Sequence, residues 1–249
     1  MKPLLLTLAL VLFGLSQASC GWTSSNTASP ESASSPAVSN TATAANSQDE
    51  ARDYFEQGKE LYRKDRDREA VKAFQKAISL NPDFAEAYYR LGLALAVSGQ
   101  KKEAEEAYQK AVEAYEKLIE QNPEDADAHF NMGQAYGKLG QYDDAIKAYK
   151  KAVKLKPDSG DMFYELGVAQ SKVAHYAEAV AALEKATELD PDNYRAVEAL
   201  DKAKDDHKRF QAILKRQEEL LRRQEAAMKQ QEEEDAASAS PSPTVKPSP

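Results

Sequence analysis

Reactive chemistry in this chain would have to come from one thiol, three imidazoles or the carboxylates. Cys20 is the single cysteine, so no intrachain disulfide and no paired-cysteine zinc or redox motif can be built. His129, His175 and His207 lie far apart, with no two spaced to share a metal. Single histidines without partner ligands read as packing or solvated residues. The aspartates and glutamates are interleaved with lysines at helical spacing, the pattern of a solvated face. Glycines in the central region sit in helices or at their ends, not in phosphate-cradling loops. These residues predict no catalytic constellation, no metal, no cofactor and no enzyme.

The elements that position these residues are helices. Ala126–Ser159 reads as one complete helical hairpin. Ala128, Met132, Ala135, Tyr136 and Leu139 recur at helical spacing, and Gly140 follows as a stop. Tyr142, Ala145, Ile146, Tyr149, Ala152 and Val153 form a second apolar face, ended by Lys156-Pro157 because a residue before proline leaves the helical region. Gly133 is mid-helix, where glycine costs roughly 1 kcal/mol relative to alanine, so close approach of a partner helix is expected to compensate.

The 249 residues carry a net charge of −8, enough chain for one globular domain with flanks. The acidic balance argues against nucleic acid as a partner, and the lysines and arginines are mostly interleaved with carboxylates, the run from Lys147 to Lys156 excepted. Residues 1–19 read as a signal peptide: Met1-Lys2, an apolar run from Leu4 to Leu15 that is short for a span, and the small residues around Ser16-Gln17-Ala18-Ser19. Ala18-Ser19-Cys20 resembles the lipobox of bacterial lipoproteins, with Gln17 where that family usually has leucine. The resemblance implies lipid attachment at Cys20; cleavage after Ala18, leaving a soluble protein with a free thiol, is the alternative. Gly21 in place of aspartate implies the outer membrane by the same resemblance. Residues 20–50 are Ser, Thr, Ala, Asn and Pro-rich and are expected to form a lipid-anchored disordered linker reaching roughly 30 Å. Trp22 would sit at a lipid interface or be incidental to the linker.

The hairpin repeats along the chain as units 51–84, 85–125, 126–159 and 160–193. A glycine recurs at Gly58, Gly92, Gly133 and Gly167, and small residues at Ala70, Ala104, Ala145 and Ala179 and at Ala77, Ala111, Ala152 and Ala186. Prolines close the units at Pro82, Pro123, Pro157 and Pro191. Tyr54, Tyr88 and Phe163 are aromatic plugs, with His129 in that slot of the third unit; Phe74, Tyr108, Tyr149 and Leu183 fill a second slot. This combination resembles the tetratricopeptide repeat. The resemblance implies an all-α, right-handed superhelical array of four hairpins with a concave inner wall, its faces buried by stacking.

One unit is longer. Gly92 to Pro123 spans 31 residues where the others span 24, and Ala107–Glu113 resembles a tandem copy of Ala114–Glu120. Seven residues add about 10 Å with the apolar face nearly in phase, so the second helix of this unit is expected to protrude by two turns. Tolerated drift and a docking ridge both remain open readings. Residues 194–234 read as a C-terminal helix, with Tyr194, Val197 and Leu200 capping the last repeat. Its seam, Leu200, Ala203, His207, Phe210, Leu214, Gln217, Leu221, Gln224 and Met228, is a weak coiled-coil pattern. The helix would dimerise through residues 200–228, fold back, await a partner helix, or stay solvated. Residues 235–249 read as a disordered Ala/Ser/Pro tail.

In the tetratricopeptide family the residue after the first aromatic plug faces the groove. Here these are Phe55, Tyr89, Phe130 and Tyr164, an expected column for peptides or helices with apolar anchors and acidic character, flanked by Lys59, Lys138 and Lys172. A purely packing role for the column is equally open. Arg90 and Asn131 lie beside it but do not make the clamp that holds a peptide's terminal carboxylate in some members. The chain resembles bacterial envelope lipoproteins of this family, implying a non-catalytic protein-binding adaptor, periplasm-facing and membrane-tethered, with a self-assembling structural lipoprotein as the alternative.

Overall fold

The apolar periodicities fold into hairpins whose partner helices lie antiparallel. A computed structural model describes residues 39–238; the signal peptide, Cys20, Trp22 and the end of the tail lie outside the described residues. Among the described residues there are nine helices and no strand: α1 (Ser39–Arg63), α2 (Asp67–Leu80), α3 (Ala85–Val97), α4 (Lys101–Gln121), α5 (Ala126–Lys138), α6 (Tyr142–Leu155), α7 (Gly160–Lys172), α8 (Tyr176–Leu189) and α9 (Tyr194–Ser238). From α2 onward each packs on the next, α1 meets α2 through Phe55 and Gly58 against Phe74, and the further contacts of α5 with α7 and of α7 with α9 place these odd-numbered helices on the inner side of the array.

Two boundaries differ from expectation. Helix α1 starts at Ser39, so residues 39–50, expected as linker, continue the first helix. Ala51 and Phe55 anchor that helix in the core, and once a packed nucleus exists each further residue adds a hydrogen bond at little cost. Helix α9 likewise runs to Ser238, a few residues into the expected tail.

The mid-helix glycines are explained by side chains. A Cβ on Gly58, Gly92 or Gly133 would stand 2.6, 2.5 or 2.6 Å from a ring carbon of Phe74, Tyr108 or Tyr149. The close approach is therefore of an aromatic ring lying flat on the glycine. Gly167 faces Leu183 in the same way.

The hairpin turns share a second feature. Asp65, Gly99, Gly140 and Ala174 occupy the same place in the four turns, all at positive φ (57°, 82°, 73° and 61°). In each, the next residue's N–H bonds back to a carbonyl one turn and more upstream: Arg66 to Leu61, Gln100 to Leu95, Gln141 to Tyr136 and His175 to Gln170. These bonds satisfy the orphan carbonyls of α1, α3, α5 and α7.

The extension of α4 is not a free projection. Helix α4 has 21 residues against 14 in α2, α6 and α8, yet Ala114 and Tyr115 are 5% and 3% exposed. Lys117 donates to Asp83 at the start of α3 (2.8 Å), as Lys156 does to Asp127 in the third hairpin (3.5 Å). Lys156 caps its helix, whereas α4 continues from Lys117 to Gln121 before turning. The added turns carry α5 along the helix axis relative to α3, by about 10 Å for seven residues, and neighbouring helices cover their inner side.

Candidate functional site

The expected aromatic column divides when each ring is placed. Phe55, Tyr89 and Phe130 lean on the ring that covers their hairpin's glycine: Phe55 on Phe74 at 5.8 Å, Tyr89 on Tyr108 at 5.9 Å and Phe130 on Tyr149 at 5.7 Å, with interplanar angles of 51°, 49° and 48°. Phe55 also meets Phe84 at 4.7 Å. Phe55 and Tyr89 are consequently only 3% and 8% exposed, which corrects their expected role as open groove walls. Burial of such rings is core energetics, with offset and tilted pairs adding about 1 kcal/mol beyond area. Phe130 and Tyr164 are half-buried. Leu183 replaces the ring partner in the last hairpin, and Arg195 from α9 covers Tyr164 instead. Its guanidinium lies 4.9 Å from the ring centroid, and its Nη2 donates to the Tyr164 hydroxyl at 3.3 Å.

The displacement of α5 also breaks the column's levels. Tyr89 does not line up with Phe130; it shares a cavity with Gln134, Gly137 and Lys138, one to two turns further along α5. That cavity, about 180 Å³, is completed by Tyr149 and Tyr142 of α6 and by Glu165, Val168 and Ala169 of α7. Four helices thus converge on it, with ring surfaces and Val168 as its apolar part and Gln134, Lys138 and Glu165 as its polar part. Burial pushes the Glu165 carboxyl above the usual glutamate range. Arg195 and Lys138 pull it back down, and Asp161 adds to the rise. Burial also pushes the Tyr89 phenol up to about 12.

The remaining expected groove residues are scattered. Lys59 pairs with Glu56 at 2.9 Å and lies 5.1 Å from the Phe55 ring centroid. Arg90 is held by Glu86 on its own helix at 3.3 Å. Asn131 is half-buried on α5, and Lys172 is exposed in the last turn of α7. Tyr89 and Lys138 are the two expected residues that the fold brings to the cavity. Gln134, Glu165, Val168 and Arg195 were missed. The readable signal for Gln134 was the seven-residue extension, which sets the levels at which α3 and α5 meet; Glu165 and Val168 on α7 and Arg195 on α9 had none.

His129, in an aromatic slot, is 8% exposed and its Nε2 donates to the Pro123 carbonyl at 3.1 Å, tying α5 to the loop after α4. Among the described residues no three His, Cys, Asp or Glu side chains converge as metal ligands, and no helix is long and apolar enough to cross a membrane.

Comparison with known proteins adds family and fold. Three family models match: "TPR repeat" over residues 58–99, and two described as "Tetratricopeptide repeat" over 83–158 and 138–204. No curated protein matches. Similar solved structures include a MamA protein, 22% identical over 63% of this chain and 82% of that one, with a TM-score of 0.47. MamA from Desulfovibrio magneticus RS-1, from residue 41 to its end, is 26% identical over 71% and 97%, with a TM-score of 0.48. YrrB, titled a TPR protein with an unusual peptide-binding site, is 23% identical over 64% and 96%, with a TM-score of 0.33. The assignment rests on the three overlapping family matches, which run unbroken from residue 58 to residue 204, and on the glycine-to-ring hairpins they cover: the chain belongs to the tetratricopeptide-repeat family.

Proposed function

We propose that this protein is a non-catalytic interaction scaffold of the bacterial cell envelope, tethered by lipid at Cys20 and holding segments of protein partners on the inner face of its repeats. The observation that carries the binding part is the cavity shared by α3, α5, α6 and α7, where apolar wall and charge lie side by side. An apolar anchor of a bound peptide seats against Val168 and the Tyr149 ring, and an acidic neighbour reaches Lys138. Phe130 supports this region through the Tyr149 ring and Tyr164 adjoins Glu165, while Tyr89 forms part of its wall and Phe55 packs in the first hairpin away from it. The tether is supported by the basic start, the apolar run to Leu15 and the small residues before Cys20. Gly21, where resemblance to enterobacterial lipoproteins would place aspartate in an inner-membrane protein, supports the outer membrane as the tethering site, and the repeats would then face the periplasm.

The test is photocrosslinking in native cells with a photoreactive side chain at Gln134, compared with the same group at the exposed Lys151 of α6. A protein adduct specific to Gln134 and lost on adding Val168→Arg is expected. Equal adducts at both positions, or adducts indifferent to Val168→Arg, would sink the groove reading. In the same cells a palmitate analogue labels the protein and fails to label Cys20→Ser; retained label refutes the anchor.

A further inference from the structure

Helix α9 begins as a cap and ends without a partner. Ala203 and Leu200 pack with Ala179 and Leu183, and Phe210 meets Tyr176 at 5.6 Å near the start of α8. The first half of the expected seam, from Leu200 to Phe210, is therefore used within the chain, which corrects the expected pairing segment of 200–228. Past Phe210 the same side of the helix continues uncovered: Ile213 is 56% exposed, Leu220 50%, Leu221 58% and Met228 65%.

That face is patterned for a specific occupant. At 100° per residue, Phe210, Ile213, Leu214, Leu220, Leu221 and Met228, with Gln217, Gln224, Ala227 and Gln231, fill a charge-free sector about 140° wide. One edge of the sector is a row of arginines, Arg209, Arg216 and Arg223; the other is a row of glutamates, Glu218, Glu225 and Glu232. Both rows repeat every seven residues, each over about 21 Å of helix. Arg222, behind the glutamate row, pairs with Glu218 at 2.9 Å.

The geometry of two such helices decides their orientation. When two copies run parallel, the two-fold axis along the helices sets the arginine edge of each against the glutamate edge of the other. When they run antiparallel, arginine faces arginine and glutamate faces glutamate, and like charges at such flanks disfavour the pair. We propose that residues 211–231 of α9 associate with the same segment of a second copy of this chain, parallel and in register. The arrangement projects both repeat arrays from the same end of the paired helices, so two inner faces are displayed together. It stands apart from the groove reading, since neither the cavity nor Cys20 takes part. The glutamines within the stripe make the association weak and reversible, as polar residues in a seam do.

The experiment uses the full chain carrying Cys20→Ser, so that no native thiol can crosslink. Sedimentation equilibrium up to about 100 µM, the range in which a weak pair is populated, is expected to give at least twice the chain mass, falling toward one copy on dilution. Leu214→Glu with Leu221→Glu, both on uncovered positions, returns one copy at every concentration with the thermal melt of the repeats unchanged. Gln231→Cys then reports orientation: a 231–231 disulfide forms readily in the parallel pair and not in the antiparallel one, where position 231 faces the region of Phe210. A monomer throughout, a mass indifferent to the double substitution, a paired chain that forms no 231 disulfide, or a monomer whose stripe instead binds lipid vesicles would each overturn the proposal.

Discussion

Gly133→Ala and Gly137→Ala are the same chemical change on the same helix, and the structure predicts opposite signs. At Gly133 the new methyl carbon would lie 2.6 and 2.7 Å from Cε1 and Cδ1 of Tyr149 and 3.1 Å from its Cζ. Real Cβ contacts essentially never fall under 3.0 Å, so something must move. Tyr149 is 3% exposed and leans on Phe130 at 5.7 Å, so the ring can yield only toward the cavity it lines and gives up those contacts in doing so. Forcing volume into a packed core costs about 1–3 kcal/mol, while alanine regains roughly 1 kcal/mol of helix propensity. The net expectation for Gly133→Ala is a loss of up to about 2 kcal/mol, or a fall of up to roughly 6 °C in Tm for an array of this size. At Gly137 the nearest atom is the Tyr149 hydroxyl at 3.8 Å, an ordinary contact. Only the propensity gain remains, so Gly137→Ala is expected to stabilise by up to about 1 kcal/mol. Urea and thermal unfolding followed by far-UV circular dichroism measure both. Higher stability in Gly133→Ala would refute the clearance argument. So would matching losses in the two variants, which would trace the effect to something other than the ring.

Two further outcomes follow from the fold. Ala174 holds φ at 61°, where its Cβ is strained and glycine is not; Ala174→Gly is expected to raise stability by about 1 kcal/mol, read in the same melts, and a loss would mean the turn tolerates alanine at no cost. The second concerns alkaline pH. Burial raises the Tyr89 phenol to about 12 and pushes Tyr108, Tyr115 and Tyr149 upward too. An unfolded phenol ionises near 10, so the stability held by the neutral buried rings is fully present below that value and is lost as pH rises through the folded values. Urea midpoints are expected to be level from neutral pH to about 9 and to fall steeply above 10, and Tyr89→Phe should flatten part of that fall. A midpoint unaffected by pH up to 11 would contradict the burial of these hydroxyls, since a phenol that ionises near 10 in the unfolded chain and at about 12 in the fold, as Tyr89 does, has lost about 1.4 kcal/mol of its stabilising effect by pH 11.

The hairpins were legible because the chain repeats itself: glycine, alanine, aromatic and proline return at fixed intervals, so each unit checks the others. Gly133 was readable as a place of close approach, but not the approaching group, because whether a helix backbone or the ring of Tyr149 fills the gap depends on side-chain placement across the hairpin. A turn residue at the left-handed position was legible at Gly140, read as a stop, while Gly99 was not singled out and Asp65 and Ala174 were invisible. There the hydrogen bonds of the turn and the packing around it impose a conformation that the residue itself disfavours. The start of α1 was missed for a related reason, since a polar Ser/Thr/Ala/Asn run has no apolar period and takes its helix from the packed segment after it. The groove was the least legible part. Placing Phe55, Tyr89, Phe130 and Tyr164 in one column assumes that all units stack at one level, and it says nothing of the ring partners that bury two of them.

The extension of α4 explains both why that assumption failed and why the fold tolerates the failure. Seven residues rotate a helix by nearly two whole turns, so the buried side stays buried, and Ala114 and Tyr115 simply prolong the stripe begun by Ala107 and Tyr108. The translation is not cancelled. Tyr136 at the far part of α5 reaches Glu116 (3.3 Å), and Tyr89 comes to rest beside Gln134, Gly137 and Lys138. A strictly regular array would offer the same shallow surface at each junction. The offset instead brings a tyrosine of one hairpin against the polar middle of the next, opposite Glu165 and Val168, and so gives the inner face one place unlike the others. Rotation preserved the core while translation individualised the groove, which makes the seven added residues the feature most responsible for the position of the proposed partner site.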